Sequence, residues 1–127
     1  MNKKIFAFLE IAAKTAQSKS DKRSFLLGAV AERKDGTIVK ARNSPTIVPD
    51  RQAHSEFRLC KKLDYGATVY IARVKLDGSG SGMARPCADC MRALKAKKVK
   101  RVYFTIDPET YGFWDPRYDE ITSYGRR

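Results

Sequence analysis

His54, Glu56, Cys87 and Cys90 are the residues of this chain whose types and spacing suit chemistry. His54 is the only histidine, and it opens the triplet His54-Ser55-Glu56. The two cysteines stand in Pro86-Cys87-Ala88-Asp89-Cys90. Three residues apart on a helix, two side chains lie about 60° from one another around the axis, close enough to grip one ion. Unpaired N–H groups and the dipole at a helix N-terminus favour the thiolate, the form that binds zinc. A structural zinc site normally takes four protein ligands, whereas a catalytic one keeps a position open for water. Here the evident ligands are three: His54, Cys87 and Cys90. Cys60 would point about 240° away from His54 around the same helix, and is expected to be a small buried apolar residue. Zinc lowers the pKa of bound water towards about 7, so a neighbouring Glu56 can take its proton at neutral pH.

Each half of this pattern is weak alone. A His-x-Glu pair is common where a surface helix begins, and a Cys-x-x-Cys pair can equally be a redox couple. Proline directly before the first cysteine, one upstream histidine and a crossover between them are together much more specific. The elements must then bring two helix starts to one place. Residues 4–17 read as a helix, with Ile5, Phe8, Leu9, Ala12 and Ala13 at helical spacing, and Ser18 to Lys22 as a polar break. Phe25 to Glu32 and Thr37 to Ala41 read as strands joined through Asp35-Gly36, a strong hairpin signal. Asn43 to Asp50 reads as a loop, and a helix is expected from about Ala53 to Leu63. Ala67 to Leu76 is a third strand, Asp77 to Ala84 a flexible glycine-rich stretch, and Pro86 to Lys97 another helix. Val99 to Ile106 is a fourth strand, parallel to the third through a right-handed crossover. Tyr111 to Trp114 reads as a short fifth strand, antiparallel to the fourth because the connection is too short for a crossover. The last dozen residues are polar and are expected to be loosely ordered.

Twenty-six Lys and Arg oppose fourteen Asp and Glu, a formal charge of +12. That excess favours anionic substrates or partners and steers them electrostatically. For the dense stretch Arg92, Lys95, Lys97, Lys98, Lys100 and Arg101, a solvated surface is the simpler expectation. No apolar run approaches the ~20 residues that span a bilayer, and Glu10 interrupts the short apolar start, so a cytoplasmic protein with no membrane partner is expected. Three cysteines are too few for a disulfide scaffold.

On these motifs the sequence resembles the cytidine and deoxycytidylate deaminase superfamily over roughly residues 25–106. The most telling stretch is Arg85-Pro86-Cys87-Ala88-Asp89-Cys90-Met91-Arg92-Ala93-Leu94, followed by Val99-Lys100-Arg101-Val102-Tyr103-Phe104. The first motif of that family is commonly His-Ala-Glu, and Ser55 replaces the alanine here without touching the ligands. The resemblance implies one domain over residues 1–127, an α/β fold of the cytidine deaminase type. It would be a three-layer α/β/α sandwich around a central mixed sheet of about five strands. It also implies Zn2+ as cofactor, held by His54, Cys87 and Cys90. Zinc-bound hydroxide would attack the amine-bearing carbon while Glu56 shuttles protons, converting cytosine to uracil in a nucleoside or nucleotide.

An asparagine after the second strand contacts sugar or base in the family, and Asn43 matches it; a plain turn before Ser44-Pro45 is the equal alternative. A hairpin-like end would favour the family's nucleoside-type branch, whereas the basic charge favours phosphorylated or polymeric substrates. Phe113 and Trp114 could form an aromatic wall for a base, but core packing is the simpler account. Arg42, Arg51 and Arg85 flank the motifs and could meet a phosphate. The resemblance also implies a homo-oligomer. Two other functions fit the residues: a deaminase of single-stranded DNA or RNA, and a non-catalytic zinc module that binds nucleic acid. A retained Glu56 beside an open metal position argues against the last.

Overall fold

The computed structural model describes residues 2–16, 25–42, 62–63, 65–75, 81–82, 84, 88–107, 109–118 and 120–125. Helix α1 spans Asn2–Ala16, followed by strands β1 (Phe25–Glu32), β2 (Ile38–Arg42), β3 (Thr68–Lys75) and β4 (Ser81–Gly82). Helix α2 is Ala88–Ala96, and β5 (Arg101–Asp107), β6 (Thr110–Asp115) and β7 (Glu120–Gly125) complete the order. The expected helix from Ala53 lies almost wholly outside the described residues, as does the loop from Asn43.

The strands form one mixed sheet in the order β2-β1-β3-β5-β6-β7, with β4 on β3. β3 and β5 are parallel, Thr68 opposite Arg101 and Ile71 opposite Phe104. β6 runs antiparallel to β5, and β7 antiparallel to β6. The main path thus has one strand more than the expected five. β7 falls in the tail expected to be loosely ordered, and β4 in the glycine-rich stretch expected to be flexible. Both are short edge strands fixed by main-chain ladders rather than by a buried apolar face, so their sequences carry no core pattern.

Period-two alternation divides the core into two layers. Ala29, Ala31, Val69, Ile71, Val102, Phe104 and Trp114 share one cluster with Leu94 of α2, against which Met91 and Ala93 pack. On the other face Val30, Tyr70, Ala72 and Tyr111 meet Leu9 and Ala12 of α1, supported by Ile5, Phe6 and Phe8. A helix on each face makes the three-layer α/β/α sandwich. Phe113 and Trp114 fall on opposite faces: Trp114 is fully buried with α2, whereas Phe113 stacks on Tyr103 at 5.1 Å. Core packing accounts for both.

The hairpin turn confirms the Asp35-Gly36 signal. Asp35 Oδ1 accepts the Thr37 N–H at 2.9 Å, which holds its carboxyl below the usual range, and Gly36 takes a φ of 90° that L-residues avoid.

Under α1, Tyr70 stacks between Phe8 at 4.6 Å and Tyr103 at 5.3 Å. Burial, then the nearby Tyr103 and Glu32, push its phenol up to about 12, with Arg101 opposing. Because the folded value exceeds the unfolded one of about 10, this group's contribution to stability is complete below pH ~10. It is lost as pH rises towards 12. Tyrosinate absorbance should show one of the six tyrosines ionising late and together with alkaline unfolding, and Tyr70→Phe should remove that step. A Tyr70 that titrates at its ordinary value in the folded protein would refute this.

Candidate metal centre

Cys90 lies in the first turn of α2, the helix that follows β4 in the chain. Helix-favouring Ala, Met, Arg, Leu and Lys fill α2. Cys90 and Leu94, one turn apart, are its buried side, at 1% and 0% exposure, while Arg92 and Lys95 face solvent. Cys90 is the third residue of the helix, in the turn whose unpaired N–H groups favour negative charge. It forms no disulfide.

The helix ends in a Schellman arrangement. Val99 N–H donates to Leu94 O at 3.4 Å and Lys98 N–H to Lys95 O at 2.9 Å, with Lys98 at a φ of 51°. Parallel β3 and β5 therefore have α2 running back between them, its start beside their carboxyl ends. In open α/β sheets that end is where ligands bind. The register Arg42–Gly28–Ala72 brings β2 out at this same end, directly before Asn43.

A second anchor precedes the motif. Ala84, 3% exposed, donates its N–H to Thr105 O at 2.8 Å. The Thr105 hydroxyl, 5% exposed in all, accepts the Arg73 N–H at 3.1 Å. One threonine thus continues the β3–β5 ladder beyond Ile71–Phe104 and ties down the chain three residues before Cys87. Sequence reasoning missed this positioning residue. Its signal is a lone polar side chain inside the apolar run Val102-Tyr103-Phe104-Thr105-Ile106.

Of the expected site residues, Cys90 is described, while Asn43, His54, Glu56 and Cys87 lie outside the described residues, together with Cys60, Arg51 and Arg85. Among the described residues no three metal-ligating side chains meet. A buried thiol in the first turn of α2 fits one position of a zinc donor set.

A family model described as "Cytidine and deoxycytidylate deaminase zinc-binding region" matches residues 2–106. No curated protein matches the chain.

Proposed function

From the premise that the chain belongs to the cytidine and deoxycytidylate deaminase zinc-binding family, we propose that it hydrolyses a cytosine nucleoside or nucleotide to its uracil counterpart and ammonia. Zn2+ is the expected cofactor of this domain. The observation that carries the proposal is that match, whose span contains both His54-Ser55-Glu56 and Cys87–Cys90. His54, Cys87 and Cys90 would hold the ion, which supplies Lewis-acid activation of water near neutral pH. Glu56 accepts the proton of that water, passes one to the ring nitrogen and assists departure of ammonia. Asn43, directly after β2, is assigned to sugar or base contact. An antiparallel β6 supports a small-molecule substrate, since a hairpin-like end resembles the nucleoside-type branch. Action on single-stranded DNA or RNA is the second reading, supported by the charge of +12.

Among the described residues, no helix is long and apolar enough to cross a membrane. Assembly into a homo-oligomer is proposed on the family resemblance.

The test supplies cytidine, deoxycytidine, CMP, dCMP and single-stranded oligonucleotides to zinc-loaded protein and detects uracil by mass spectrometry. Glu56→Ala at matched zinc content should lower turnover about 100- to 10,000-fold. Absence of conversion with every cytosine substrate would reject the cytosine assignment.

A further inference from the structure

The two ends of the sheet are built differently. At one end β2 carries Lys40 and Arg42, and Lys62 Nζ donates to Lys40 O at 2.6 Å. Edge lysines guard a strand against pairing with another chain, and an engaged carbonyl is one acceptor fewer. At the other end β7 reads Glu-Ile-Thr-Ser-Tyr-Gly, with no charge among its central residues. Ile121, Thr122 and Ser123 are exposed, and among the described residues no strand lies on the outer side of β7. Such an edge is a template for a further strand, and its β-branched and aromatic residues suit that pairing.

The charges around β7 indicate which strand fits. In sequence, Asp119 and Glu120 stand at its start, and Arg126 and Arg127 directly follow its end. A strand acidic at its start and basic at its end complements itself when paired antiparallel. Two copies paired in this way are related by a twofold axis normal to the sheet. The axis keeps each face on its own side, so opposed residues are both odd-numbered or both even-numbered. With Ser123 on the axis, Glu120 stands opposite Arg126 of the partner subunit, and Asp119 opposite Arg127 of the partner subunit. Any other residue of β7 on the axis separates both pairs.

The neighbouring side chains agree with that register. On the α1 face, Tyr70, Tyr103 and Phe113 stack in a row across β3, β5 and β6, at 5.3 and 5.1 Å. Phe113 pairs with Thr122 of β7. Across the axis Thr122 meets Tyr124 of the partner subunit, a favourable β-branched–aromatic pair that continues the row. On the opposite face Ile121, 37% exposed and paired with Trp114, meets Gly125 of the partner subunit.

We propose that β7 is the contact by which two copies of this chain join, antiparallel and edge to edge with Ser123 on the axis, into one continuous sheet. This gives the proposed homo-oligomer a defined surface. The contact needs neither zinc nor deamination, so its failure and that of the proposed activity are separate results.

Sedimentation velocity of the full chain from about 1 to about 200 µM should show a concentration-dependent dimer. Salt at about 0.15 M shortens the Debye length to about 8 Å, screening the +12 of each copy at long range. Ser123→Lys sets like charges opposite one another on the axis and should weaken association at least about tenfold. Glu120→Arg and Arg126→Glu should each weaken it about fivefold, and the two combined should return to within about twofold of the parent. Ser123→Cys should cross-link two chains under oxidising conditions, since directly opposed residues lie about 4.5–5.5 Å apart, within disulfide reach. Ile121→Cys stands four positions, about 14 Å along the strand, from its counterpart and should link no more than the parent.

A chain that stays monomeric throughout would overturn the proposal, leaving the edge to a strand of another protein. An oligomer undiminished by Ser123→Lys would overturn it too, moving the homo-oligomer to a different surface. So would a Ser123→Cys protein that cross-links no more than Ile121→Cys, or a charge swap that restores nothing. Unchanged far-ultraviolet circular dichroism establishes that each variant is folded.

Discussion

Cys90→Ala should leave the fold standing while lowering zinc affinity by more than about 100-fold, because losing a ligand exceeds the 10–100-fold cost of losing a partner behind one. Turnover should fall with it. The thiol is 1% exposed beside Leu94 in the first turn of α2. Alanine fits that space with one heavy atom fewer, at a cost of about 1 kcal/mol, and its higher helix propensity returns part of this. The change therefore separates metal from fold in a way that a large substitution would not. Zinc content of the purified variant, read beside its thermal melt and that of zinc-stripped parent protein, checks the prediction. A folded Cys90→Ala protein that retains a full equivalent of zinc would remove Cys90 from the ligand set.

Gly112→Ala should destabilise the protein by about 1–3 kcal/mol, a drop in melting temperature of roughly 3–15 °C for a domain of this size. Gly112 lies opposite Phe104 in the β5–β6 pair. A Cβ at position 112 would clash with the outer end of the Phe104 ring, meeting Cζ and both Cε atoms. Phe104 cannot easily move aside, since it is 1% exposed among Ile71, Val102 and Trp114. Here the glycine serves close approach rather than unusual backbone angles, for the ring lies over its bare Cα. Phe104→Leu alone should cost about 1 kcal/mol or more through lost packing. Combined with Gly112→Ala it should cost less than the sum, because the smaller side chain yields room. Denaturant melts of the double-mutant cycle measure that coupling. Strictly additive costs would mean that the ring does not set the tolerance at position 112.

Much of this architecture was readable because burial leaves a period in the sequence. Phe25–Glu32 is delimited by its apolar run, and Asp35-Gly36 announces the turn that follows. The α2 crossover dictates the parallel β3–β5 pair, and the short gap after β5, too short for a crossover, dictates an antiparallel β6. β7 escaped because Ile121 is 37% exposed and Glu120, Thr122 and Ser123 face solvent. An edge strand held by its neighbour's main chain need not look like one in composition. β4 escaped because Ser81-Gly82 has the composition of a loop, and only its pairing with Arg73 and Val74 makes it a strand. At the site, residue types and spacing pointed to the deaminase zinc-binding family that matches residues 2–106, since few chemistries use His-x-Glu with Pro-Cys-x-x-Cys, while His54, Glu56 and Cys87 lie outside the described residues. The anchoring of the motif through Thr105 was not readable, because it joins residues far apart in the chain.

Strand β3 has a consequence for how the molecule comes apart. β1–β2 and β5–β6–β7 are local units, each closed over short turns, whereas both neighbours of β3 on the main path, β1 and β5, are distant in sequence. The loop-closure entropy of the sheet is therefore concentrated in seating this one strand. Removing it parts the sheet into two ribbons and uncovers both core layers at once, for Val69 and Ile71 belong to one and Tyr70 and Ala72 to the other. The two-stranded β1–β2 ribbon is at best marginally stable alone. The two halves thus gain and lose structure as a single cooperative unit, with β3 as its keystone.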